Sequence, residues 1–211
     1  MLAPLLLVLL LSTAHLGHGL AVSKGFGFVE KSKPGPSLCP CGSSLEYDKC
    51  CQPLHMGDCS GASPEAITRA RFSAYAKSRP EFIVDSAHPS HKDYARFATA
   101  SRDPRRARRQ LEKELVSKNS EVYEFLRLDI LNSTAVQTDS EECRVTFQIL
   151  VRKKSDGSYL PYQETSVFVR SSSVPEELKV LKTRDYSLRG LDWLYSASHV
   201  EPMEEEVGQM L

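Results

Sequence analysis

Two hydrophobic periods divide the chain. From Ser63 to Leu115 apolar residues recur at helical spacing, and beyond Asn119 they alternate. Ser63-Pro64-Glu65 has the form of a helix start, with serine as N-cap, proline first in the helix and an acid in the first turn. Ala66, Ala70, Phe72, Ala74 and Tyr75 supply its apolar face, which ends before Pro80. A second short helix, Glu81 to Ser86, brings Phe82, Ile83 and Val84 and stops at His88-Pro89; Asp103-Pro104 opens a third, with Leu111 and Leu115 on one face. Val145, Phe147, Ile149 and Val151 then alternate with Thr146, Gln148 and Leu150, the pattern of a half-buried strand. Asp156-Gly157 marks a hairpin turn into a strand through Ser166, Phe168 and Arg170, and Val122 to Leu131 and Leu191 to Ser198 supply further strands. Helices followed by an antiparallel meander predict an α+β domain over residues 62–198, its N-terminal helices packed on one face of a curved antiparallel sheet.

The flanks have no such period. Residues 1–19 carry no Asp, Glu, Lys or Arg, have an all Leu/Val core from Leu5 to Leu11, and end in small residues. That is the form of a secretory signal peptide, shorter than the roughly 20 apolar residues of a spanning helix, so no stable membrane span is expected after its removal. Residues 20–37 read as a linker or as a transit-like segment rich in lysine, and residues 199–211 as an acidic tail around Glu201 and Glu204 to Glu206.

Composition narrows the chemistry. The 27 basic and 27 acidic residues cancel, which excludes a simple electrostatic sponge for nucleic acid or anionic membrane. Of the six cysteines, Cys39, Cys41, Cys50 and Cys51 lie within thirteen residues. Four thiolates at that spacing can converge on one tetrahedral ion, and zinc suits them because it is thiophilic, redox-inert and content with four closed ligands. Residues 38–61 would then be a zinc knuckle in which the metal replaces a missing core. Disulfides are the alternative, disfavoured by the one-residue gap between Cys39 and Cys41 and by the strain of a vicinal Cys50–Cys51 bridge. His55 is a substitute ligand candidate, while Cys59 and Cys143 are read as free thiols. A thiolate cluster survives best in a reducing compartment. Entry into the secretory pathway followed by import into a plastid through a bipartite address reconciles the leader with the cluster, and secretion or the ER lumen is the alternative.

The stretch CPCGSSLEYDKCCQPLH resembles the SEC-C motif, the zinc knuckle at the end of the SecA translocation motor, with Ser44 where a second glycine is usual and Glu46 at a commonly basic position. That resemblance implies a closed structural site that contacts a partner protein or ribosome, here through Lys49, Leu54 and His55. Behind it, Thr68 to Tyr75, His88-Pro89-Ser90, Glu164 to Arg170 and Trp193-Leu194-Tyr195 resemble, in order, short signatures of the YchJ family. The resemblance covers about residues 38–198 and implies a middle domain with the nuclear-transport-factor-like cone fold.

Cone folds often enclose a pocket between the sheet and the first helices, and some relatives by fold use an Asp–His pair there. The candidates in this chain are Arg71, Tyr75, His88, Glu164 and Trp193, with Arg71 or Arg69 expected to reach inward and pair with Glu164. Arg102, Arg105, Arg106, Arg108 and Arg109 form a candidate basic patch for RNA, ribosome or anionic lipid, although no aromatics interleave them for base stacking. There is no nucleophile elbow, phosphate loop or dinucleotide fingerprint. The leading expectation is a zinc-binding, non-enzymatic interaction or adaptor protein. The alternative is a small-molecule-binding, hydrolase-like or isomerase-like cone domain with an accessory knuckle, which a pocket filled by Phe72, Phe147 and Trp193 would remove.

Overall fold

The Ser63 side chain accepts a hydrogen bond from the Ala66 N–H at 3.2 Å, and the helix it caps runs Pro64–Ala76 (α2). It lies in a computed structural model that describes residues 37–92, 103–134, 141–174 and 190–203. The expected leader (1–19), nearly all of segment 20–37, Arg102 and the tail beyond Met203 lie outside the described residues. Among the described residues no helix is long and apolar enough to cross a membrane.

Before α2 come a 3-10 turn, Tyr47–Lys49, and the four-residue helix α1, Gln52–His55. After it come α3, Pro80–Asp85, and α4, Pro104–Leu115, the latter capped by Asp103 and running on into a π-turn, Val116–Ser120. Four strands follow: β1 Tyr123–Ser133, β2 Glu142–Lys153, β3 Tyr159–Arg170 and β4 Trp193–Pro202, all antiparallel neighbours in the order β1-β2-β3-β4. The chain is therefore α+β, with helices against a curved sheet.

The buried face of α2 differs from the predicted one by a small rotation. Ile67, Ala70 and Ala74 point inward with Phe72, while Ala66 is only half-buried. The rotation buries Thr68 and Ser73, which the pattern alone would send to solvent. Thr68 Oγ1 donates to Pro64 O at 2.9 Å and Ser73 Oγ meets Cys39 Sγ at 3.4 Å, so neither is left unpaired.

On β2 the alternating Val145, Phe147, Ile149 and Val151 all face the core. Leu150, expected on the outer face, is buried as well. Register shifts at Leu126 and Leu131 in β1 leave both leucines exposed and bend the sheet. In the β2–β3 turn Gly157 takes φ 74°, and Asp156 Oδ1 accepts from both the N–H and the hydroxyl of Ser158. β4 runs four residues past the Ser198 boundary, because His199 to Pro202 keep pairing with Thr165 back to Tyr162.

The cysteine segment shares the core of the sheet domain. Cys39, Cys41, Cys51 and Cys59 belong to the same buried cluster as Ile67, Ala70, Phe72, Phe168 and Leu194.

Candidate functional site

The cysteine loop folds back on itself where Leu38 bridges Glu46 and the Cys39 N–H donates to Leu45 O at 2.7 Å. Gly42 takes φ 76°, and a Cβ there would stand 3.3 Å from Leu128 O on β1, so the loop needs glycine both for its turn and for its contact with the sheet. Ser44, where a SEC-C motif usually has glycine, also adopts the left-handed conformation (φ 62°). Ser44→Gly is therefore expected to raise stability by about 1 kcal/mol, read as a higher chemical-denaturation midpoint.

This loop and α1 bring the Sγ atoms of Cys39, Cys41, Cys50 and Cys51 within 4.8 Å of one another. Cys41 and Cys50 are 3.5 Å apart and Cys50 and Cys51 3.8 Å, close to the edge of about 3.8 Å for a tetrahedron with metal–sulfur bonds of about 2.3 Å. They are far beyond the S–S bond of about 2.05 Å, and all six cysteines are free thiols. Hydrogen bonds from Cys51, then Ser43 and Cys39, outweigh burial and draw Cys41 down to about 4. Cys51 is pushed up by the proton it shares with Cys41 and by burial, and Cys50 is pushed up to about 11, chiefly by burial. A cluster that places a thiolate among reluctant thiols suits a cation that ionises them together.

His55 is not part of that cluster. Its Nε2 donates to Ala70 O on α2 at 2.8 Å, which leaves Nδ1 to accept from Tyr47 Oη at 2.7 Å. The ring thus joins the knuckle to the domain instead of facing a partner, and Leu54 also packs against the core. Of the three side chains expected to be presented, Lys49 is exposed and paired with Glu46. Arg69 makes a third link, Nη1 to Cys41 O at 3.0 Å. Burial pushes the His55 pKa below its ordinary 6.5. Between its folded value and 6.5 the unfolded chain binds the extra proton, so stability is full above pH 6.5 and falls as pH drops through that window. Denaturation midpoints from pH 7.5 to 5 should show a loss that is smaller in His55→Gln.

Beneath α2 the concave face of the sheet encloses a cavity of about 410 Å³. α2 contributes Thr68, Arg71, Phe72 and Tyr75; alternation along β3 contributes Tyr162, Glu164, Ser166 and Phe168 from one face. Tyr123, Phe125, Phe147 and Tyr195 also line it. Phe72 and Phe147 are wall, not filling, and the cavity stays open. Arg71, Tyr75 and Glu164 of the five candidates line it. His88 is buried but does not line it; its Nδ1 is 2.6 Å from Ser90 Oγ and its backbone N–H donates to Tyr195 O, which ties the chain after α3 to β4. Trp193 is buried at the start of β4 under the Arg170 guanidinium, 4.0 Å from the ring centroid.

The expected Arg71–Glu164 ion pair does not form. Arg71 Nη1 instead donates to Ile83 O (2.9 Å) and Ser86 Oγ (2.7 Å), and its guanidinium lies 4.1 Å from the Tyr195 ring centroid. Those partners sit on α3 and β4, out of reach of a prediction from spacing on α2. The Glu164 carboxyl accepts from Ser166 Oγ at 2.9 Å and is raised above the usual carboxylate range by burial, against the hydrogen bonds from Ser166 and Ser198 and the charge of Arg71. The cavity residues missed in the sequence, Tyr123, Tyr162 and Tyr195, had one legible signal: Tyr162, Glu164, Ser166 and Phe168 are spaced by two.

The basic patch also changes. Arg105, Arg106 and Arg109 are exposed on α4, but Arg108 turns inward to Asp85 Oδ1 at 2.7 Å, its Nε 2.6 Å from Glu112 Oε1.

Residues 63–174 match the family model for the middle, NTF2-like domain of YchJ. A UPF0225 protein of Corynebacterium efficiens is 30% identical over 119 residues, 56% of this chain and 75% of its own. One from Serratia proteamaculans is 46% identical over 54 residues, 26% of this chain and only 35% of its own length. The solution structure of a SEC-C motif containing protein from Rhodopseudomonas palustris aligns with a TM-score of 0.50 and 26% identity, covering 77% of this chain and 98% of that one. With four clustered cysteines able to hold a metal ahead of that matched domain, the chain belongs to the YchJ family.

Proposed function

We propose that the four thiolates hold one zinc ion in a closed, structural site, and that the cone cavity is the working site, binding a small organic ligand. Zinc suits four sulfur donors near tetrahedral spacing, three of them buried in the shared core and Cys50 packed half-buried against it, a set that fills all four positions of a tetrahedral ion. Metal analysis of protein purified under reducing conditions should find one zinc per chain; a value well below one counts against it.

The observation that carries the binding role is the open 410 Å³ cavity, within the roughly 300–1,000 Å³ of small-ligand sites, onto which Arg71, Tyr162 and Glu164 converge from a wall that is mostly apolar and rich in aromatic rings. No histidine or cysteine stands among the described lining residues to share acid–base or nucleophilic work with Glu164, so binding is the simpler role. Ligand-observed NMR against a small-molecule library tests it: hits should be lost in Ser166→Leu, which fills the cavity from β3. Hits that persist in that variant, with its fold intact by circular dichroism, refute the cavity as the site.

An adaptor role is the second reading. It is favoured by Leu38 and Leu45, two large apolar side chains of the knuckle that are 66% and 53% exposed. Crosslinks from residues 38–49 to one partner protein or ribosomal component in the native compartment would support it, and crosslinks confined to other surfaces would oppose it.

A further inference from the structure

Glu164 is the one carboxyl on the described wall of the cavity, and its surroundings indicate what it is for. Its hydrogen bonds come from the neutral hydroxyls of Ser166 and Ser198. Among the described residues no basic nitrogen stands within 4 Å of it. Arg71, the cation on the same wall, is engaged by Ile83 O, Ser86 Oγ and the face of Tyr195. Glu164 is half-buried, and keeping its carboxylate charged there without a direct cationic partner is costly; the raised pKa relieves that cost by neutralisation, and a bound cation would relieve it by pairing.

The rest of the wall is mostly apolar and rich in aromatic rings, with Ile149, Val151 and Leu160 between them. Tyr75 stacks on Phe125 with centroids 5.3 Å apart, Phe72 meets Phe125 edge-on at 5.7 Å, and Phe168 meets Tyr195 edge-on at 6.1 Å. Phe147 lies directly across from Glu164 in the β2–β3 register, and Tyr162 is two residues away on the same face. The negative faces of aromatic rings attract cations, most strongly where water is excluded, and Arg71 over Tyr195 already exploits this within the cavity. An anion would have to rely on the Arg71 guanidinium, whose Nη1 is spent on the protein and whose face is covered by a ring.

We propose that the cavity takes an organic cation, a protonated amine or quaternary ammonium on an apolar body, with the ammonium against Glu164 and the body among the rings of Phe72, Tyr75, Phe125 and Phe147. This rests on the cavity being the working site. It names the ligand's charge and shape and nothing more of its identity.

Calorimetric titration of the full, metal-loaded protein with benzyltrimethylammonium, benzyl alcohol and phenylacetate separates the cases. The cation is expected to bind about tenfold or more tightly than the neutral and anionic probes. Glu164→Gln should remove most of that preference while leaving benzyl alcohol unchanged, and Phe125→Leu should weaken the cation without reversing the order of probes. Both variants are to be compared at unchanged melting behaviour; if Glu164→Gln unfolds, Phe125→Leu alone carries the test. Equal binding of all three probes, or preference for phenylacetate, overturns the cation inference and leaves the cavity reading standing. Absence of binding by every probe, together with library hits that survive Ser166→Leu, overturns both.

Discussion

Replacing Cys41 with serine is expected to remove the metal and to lower the melting temperature of the whole folded body by about 10 °C or more. Cys41 is completely buried, lies 3.5 Å from Cys50, and shares its core with α2 and the sheet. Losing a metal held there would expose those sulfurs and free the loop whose backbone accepts from Arg69 and whose neighbour His55 bridges Tyr47 to Ala70 of α2. Structural zinc sites contribute roughly 10 kcal/mol or more of binding free energy, so a loss of about 4 kcal/mol is modest for one ligand. At about 2–4 °C per kcal/mol for a domain of this size, that is the predicted shift. A chelator should act on the wild type in the same direction and leave Cys41→Ser unchanged. Cys143→Ser is the control: that thiol is buried against Thr134 in β-sheet surroundings, away from the cluster, and should keep its metal. Differential scanning calorimetry with metal analysis reads every one of these samples.

The second large effect lies on α4. Arg108→Ala is expected to cost about 3 kcal/mol, because it strands Asp85 (4% exposed) and Glu112 without the guanidinium that pairs with both. Arg108 itself is only 11% exposed, so solvent screening does little to weaken the pair. Arg105→Ala and Arg109→Ala, on the exposed face, should each change stability by less than about 0.5 kcal/mol. Urea denaturation of the three variants distinguishes a buried ion network from a uniform basic surface, which would give three small and similar values.

These arginines mark where the sequence stops being legible. Five arginines within eight residues look alike along the chain, and only the packing of α4 against α3 selects Arg108. Local features were readable. The four clustered cysteines lie close in sequence, the cap at Ser63 is a three-residue signal, and β2 turns Val145, Phe147, Ile149 and Val151 to the core by alternation that only Leu150 breaks. Features that depend on partners from distant elements were not. His55 could be read as a ligand or an exposed contact until Tyr47 and Ala70 were placed on either side of its ring. Arg71 was correctly aimed inward but found its partners on α3 and β4 instead of Glu164. Tyr123, Tyr162 and Tyr195 of the cavity belong to three strands whose common face appears only once the register is known. The exposed Leu126 and Leu131 follow from bulges in β1 that leave no mark in a hydropathy pattern.

One measurement reaches the centre of the account. X-ray absorption at the zinc edge of the protein as purified should show a single shell of four sulfur atoms at about 2.3 Å, from Cys39, Cys41, Cys50 and Cys51. A shell containing nitrogen or oxygen, or a metal-free protein with the same fold, would contradict it.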